Sequence, residues 1–151
     1  MEATGPIAAE PVFGRRAAQR LESLGRATVL VLLIQVVVGV ANTLWLDIPE
    51  SGNAWLVSKP VVLLTAHLCL ALVVTALSVW LLVEAARSRN RLWLLAGILG
   101  FLGILAALLG GFVSMSLNGA AAPSFVMATG CVVSIAAYAI ALAKRSRPDT
   151  P

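Results

Sequence analysis

Charge is scarce in this chain. Acidic and basic residues are 12% of the 151, and four long apolar stretches carry none in their interiors; Glu84 sits at one end. Soluble domains carry about a quarter charged residues. With 60% hydrophobic residues and a mean hydropathy of +0.94, this chain cannot cover its apolar surface in water. Histidine and tyrosine occur once each and cysteine twice. Cys69 and Cys131 lie inside apolar stretches with no C-x-x-C and no Cys/His spacing, which excludes the usual zinc sites. They read as small packing residues, with a disulfide between them as the lesser alternative. No Ser/His/Asp spacing or zinc-protease motif appears, so hydrolysis is disfavoured. No carboxylate lies mid-stretch to bind a coupling ion, which weakens proton-coupled transport.

What the chain does have is apolar length. The stretches cover about residues 27–46, 61–85, 92–117 and 124–143. About 20 residues of helix cross a hydrocarbon core of ~30 Å. Inside lipid each backbone N–H and C=O needs a partner within its own element, which forces helices. The alternation of a barrel strand is absent. The expected fold is all-α, an integral membrane four-helix bundle over 27–143. A segment 1–26 precedes it and a basic tail 144–151 follows. Residues 1–13 lack periodicity and read as disordered. Residues 14–26 read as a short interfacial helix with Leu21 and Leu24 toward lipid, or as a flexible basic tail. The first stretch is too long for a signal-peptide core and has no clear cleavage site after it, so it reads as retained.

Basic residues set the threading. Arg15, Arg16, Arg20, Arg26, Arg87, Arg89, Arg91, Lys144, Arg145 and Arg147 fall on one side, and only Lys59 on the other. That ten-to-one bias places both termini in the cytoplasm and the loop 47–59 outside. The net charge of +4 therefore serves topology and lipid headgroups, not nucleic acid. Pro60 and Pro123 mark the starts of the second and fourth helices. Trp45 and Trp55 fit an outer aromatic belt, and Trp80, Trp93 and Tyr138 an inner one.

Helices in lipid associate through close packing and hydrogen bonds. Ala96, Gly100, Gly103, Ala107, Gly110 and Ser114 form a stripe of small residues on the third helix. Gly130, Ser134, Ala137 and Ala141 form another on the fourth, and the two stripes are expected to face each other. Strong polarity is confined to few positions. Gln35 and Asn42 share one face of the first helix with Gly39 between them, and His67 lies on the second, in a stripe with Ala71 and Ser78. By helical rise His67 and Gly39 lie ~10 Å below the outer surface. Gly110, Gly111 and Met127 reach a comparable level. Two readings of this layer stand side by side. In one, His67 donates a hydrogen bond to Gln35, Asn42 or a carbonyl and locks the bundle. In the other, His67 ligates a haem iron, with Met127 as the second ligand. A loose internal repeat pairs 39–42 (GVAN) with 111–114 (GFVS), and hence His67 with Met127.

The runs LIQVVVGVANTLWLDIP, AHLCLALVV and GGFVSMSLNGAAAPSFVMATG resemble a family of small four-helix membrane proteins, of no established activity, found largely in actinobacteria. The likeness covers about 29–143 and rests best on Gln35, Gly39, Asn42, Ile48, Pro49 and His67; it departs at Ser114. More distantly, Gln35, Gly39 and His67 are similar to half of a haem A synthase, where a Gln-x-x-x-Gly helix precedes a helix carrying a haem-ligand histidine. That resemblance implies a second histidine per half. This chain has one, which puts bis-histidine ligation within a single chain out of reach. Two functions follow: a non-enzymatic membrane component that packs with itself or a membrane-protein partner, and a haem or quinone-type redox protein with its site around His67.

Overall fold

The computed structural model describes residues 12–45, 61–117 and 121–145. They form four helices: α1 (Val12–Trp45), α2 (Val61–Arg87), α3 (Arg91–Ser116) and α4 (Ala121–Arg145). Each is long and apolar enough to cross a membrane. α1 packs on α2 and α4, α2 on α3, and α3 on α4, which closes a ring of four. Residues 88–90 join α2 to α3 in a tight turn. Arg89 takes the left-handed conformation at φ 53°, and Asn90 caps α3 by accepting from the Trp93 N–H at 3.2 Å. This end of the bundle, the turn end, also holds the start of α1 and the end of α4. The opposite end is termed the far end.

α1 corrects the expectation most. It starts at Val12, not near 27, and runs unbroken to Trp45, so 14–26 is neither a tail nor a separate interfacial helix. The cause is register. Leu21, Gly25, Thr28, Leu32, Gln35, Gly39 and Asn42 recur at four-and-three spacing and form one face. Leu21 therefore points into the bundle at 1% exposure instead of toward lipid, and Leu24 packs against the same core. Pro123 falls within the first turn of α4, where its missing N–H would have had no partner in any case. The roles read for Trp45, Trp55, Pro60 and the loop 47–59 fall outside the described residues and side chains, as do residues 1–11 and the tail beyond 145.

The core is uneven along the bundle. Of its large buried side chains, Leu21, Leu81, Trp93 and Tyr138 lie in the half nearer the turn end, with Leu32 just past the middle of α1. Trp93 and Tyr138 are fully buried, so they do not belong to an aromatic belt; Trp80, 57% exposed, still fits one. Trp93 packs against Gly25 of α1, where a larger residue would collide with its ring. Tyr138 crosses the ring diagonally and hydrogen-bonds Ser78 of α2 at 2.6 Å. Toward the far end the packing thins. Among the described residues, α2 has no buried side chain before Val74 and α4 none before Gly130. The helices there associate through the α1–α2 and α3–α4 seams.

The two small-residue stripes do face each other. A Cβ on Gly103 would collide with Ser134 and the Gly130 carbonyl, and one on Gly130 with the Gly103 carbonyl. The single Ser134 O–H is shared between the Gly100 carbonyl across the seam, at 2.9 Å, and Gly130 O on its own helix, at 2.8 Å. The outward faces are the complement and are apolar, with Leu30, Val37, Leu72, Leu109 and Phe125 all more than half exposed. Cys69 and Cys131 are free thiols, Cys69 on the exposed face, so no disulfide joins them.

Candidate functional site

Four-and-three spacing on α1 delivers Gln35, Gly39 and Asn42 to one seam, and the antiparallel run of α2 brings Leu63 and His67 against them. Gln35 Nε2 lies 3.1 Å from the His67 carbonyl oxygen and 3.2 Å from His67 Nε2. A carbonyl oxygen only accepts, so the Gln35 atom facing it is the amide nitrogen, and His67 Nε2 must accept the second N–H. His67 is then a neutral imidazole whose proton sits on Nδ1. One turn along, Asn42 Nδ2 reaches the Leu63 carbonyl at 3.5 Å, the outer limit of a hydrogen bond. Between them Gly39 lets the ring approach. A methyl group there would come 3.1 Å from His67 Cε1 and 3.7 Å from Nδ1.

The seam is only half satisfied. Gln35 Oε1, Asn42 Oδ1 and His67 Nδ1 are buried without a hydrogen-bond partner, although Gln35 and Asn42 are 7% and 9% exposed. Leaving such a group unpaired costs about 1–3 kcal/mol. One donor and two acceptors thus line the interface between two apolar helices. None is charged.

The α3–α4 seam repeats this plan. A methyl group on Gly111 would come 3.2 Å from Met127 Sδ, as one on Gly39 would meet His67. Ser114 hydrogen-bonds Ser124 at 2.7 Å where Asn42 reaches toward Leu63. Gly110 receives the α4 backbone itself, with Pro123 O and Met127 N within 2.8 Å of a Cβ position. The residues read as a loose repeat, 39–42 and 111–114, thus each lie on a helix–helix seam, but α3 and α4 meet backbone to backbone at Gly110, whereas α1 and α2 meet through the His67 ring at Gly39.

The same geometry separates the residues grouped as one layer. Gln35, Gly39, Asn42 and His67 come together on the α1–α2 seam. Gly110, Gly111 and Met127 come together on the α3–α4 seam. His67 Nε2 is already taken by Gln35, and Met127 is seated on Gly111, so this arrangement does not present the pair as the two axial ligands of one iron. Among the described residues no group of three or more His, Cys, Asp or Glu converges on a point. Sequence reading missed the partners Leu63 O and Ser124, and the Ser78–Tyr138 pair. Ser124 and Tyr138 each carried a signal, since both fall on the inward register of α4.

Gln35→Leu is expected to lower stability by about 1 kcal/mol, the range of an interhelical hydrogen bond in lipid. Thermal unfolding of the detergent-solubilised protein reads this. An unchanged midpoint would mean that the Gln35–His67 contact does not hold the seam.

The fold and seams define an all-helical bundle whose four members are each long enough to cross a membrane. Comparison with protein-family models, curated proteins and solved structures returned no match at the level of sequence or fold.

Proposed function

We propose that the protein is a multi-pass component of the cell membrane, with both termini in the cytoplasm. In this reading it works by packing with copies of itself or with another membrane protein, not by catalysis. The side of the membrane follows from the basic residues, ten of which belong to the turn end and the segments flanking it. The observation that carries the non-enzymatic reading is where the buried polar groups are spent. Gln35, Ser78 and Ser134 each bond to another helix, and Thr28 bonds back to Leu24 O at 2.8 Å. They serve cohesion, and no reacting pair is assembled among them.

Photobleaching step counts on fluorescently tagged protein at high dilution in lipid vesicles test the association. Two or more steps per spot are expected. Single steps at every protein-to-lipid ratio would contradict self-association.

A further inference from the structure

We infer that the α1–α2 seam at Gln35, His67 and Asn42 is a binding site for the hydroxyl headgroup of a neutral lipid. The unpartnered atoms specify the chemistry. His67 Nδ1–H offers one donor, and Gln35 Oε1 and Asn42 Oδ1 offer acceptors. A hydroxyl, like a water molecule, accepts from the first while donating to one of the others, and only a hydroxyl comes attached to a lipid. A ketone or ether oxygen leaves both carbonyls unanswered. A phosphate or ammonium group would bring a charge into a seam with no countercharge, at a cost these three neutral groups cannot offset.

Position narrows the source. His67 is half-buried, and the residues flanking the seam, Val36, Val40 and Leu68, are exposed on the lipid-ward surface. The route in is lateral, from the bilayer. Near ~10 Å below the surface, by helical rise from the end of the second apolar stretch, a neutral headgroup sits comfortably and a phospholipid headgroup does not. The three atoms are enclosed between α1 and α2, so the hydroxyl enters as this thinly packed end of the seam parts, and Gly39 places no side chain over the ring edge. Diacylglycerols and the reduced quinols are neutral lipids that carry such a hydroxyl.

The chain's single histidine makes the test direct, because one labelled imidazole reports the site without assignment. Full-length protein labelled with 15N-histidine is reconstituted in phosphatidylcholine vesicles. Its imidazole nitrogens are then followed by solid-state NMR while dioleoylglycerol, decylubiquinol, or the O-methylated form of either is added. The expected result is a neutral ring protonated at Nδ1, whose Nδ1–H resonance shifts saturably with one hydroxyl lipid and not with its methyl ether. Which lipid acts tells the diacylglycerol source from the quinol source. Asn42→Leu should weaken that response about tenfold, the effect of losing a hydrogen bond worth ~1.4 kcal/mol. Should that variant fail to fold, the titration of the unmodified protein decides alone. A proton on Nε2, no shift with either lipid, or equal shifts with the methyl ethers would overturn the assignment. None of these outcomes bears on self-association, which the step counts measure separately.

Discussion

Gly110→Leu is expected to separate α3 from α4 and to lower stability by about 3 kcal/mol, the upper part of the range for overpacking a tight interface. At Gly110 the obstacle is backbone. A Cβ alone would lie 2.7 Å from Pro123 O and 2.8 Å from Met127 N, and neither can swing away as a side-chain tip can. Gly103→Leu should act similarly through the Gly130 carbonyl and Ser134. Leu109→Phe is the control, since Leu109 is 63% exposed, about 100° round the helix from Gly110, and its enlargement meets only the surroundings. Unfolding in mixed micelles measures all three. If Gly110→Leu and Leu109→Phe were tolerated alike, the small-residue stripe would not be an interface.

The second large effect is expected at Tyr138. Its ring occupies the space that a side chain at Gly100 would need, it is fully buried, and its hydroxyl bonds Ser78 at 2.6 Å. Tyr138→Ala removes most of that volume and should cost about 3–5 kcal/mol, as for other buried aromatics. Tyr138→Phe keeps the ring and loses only the diagonal hydrogen bond, so about 1 kcal/mol is expected. The two variants, read by the same unfolding assay, separate packing from bonding. Equal losses would mean that the hydroxyl carries the contact and the ring does not. Both changes fall where α2, α3 and α4 meet, so this one residue ties the two helix pairs together across the bundle.

Helix number and most boundaries were legible because hydrocarbon thickness sets a length that apolar runs must meet. The facing stripes of α3 and α4 were legible for a similar reason: glycine and serine at four-and-three spacing have little use on a lipid-facing surface. The start of α1 was not. Arg16, Arg20 and Arg26 suggested a polar segment ending where apolarity begins, yet the inward face of Leu21, Gly25 and Thr28 carries the helix straight through. Burial of Trp93 and Tyr138 was also hidden. Aromatics near the ends of apolar runs look like belt residues, and only the small partners Gly25 and Gly100 reveal that the rings turn inward. At the candidate site, a shared face predicted Gln35 with Gly39 and Asn42. Helical rise alone placed Met127 at the same depth as His67. Depth carries no information about which seam a residue joins, and His67 and Met127 lie on different seams.

Topology mapping in intact cells tests the central claim, a four-span membrane bundle with both ends in the cytoplasm. Reporters joined after Arg89 and after Arg147 should both read as cytoplasmic, and one placed at Gly52 as extracytoplasmic, because the basic residues outnumber those of the opposite side ten to one. An extracytoplasmic signal at Arg147 with a cytoplasmic one at Arg89 would contradict the four-span count, and reversed signals at all three sites would contradict the orientation.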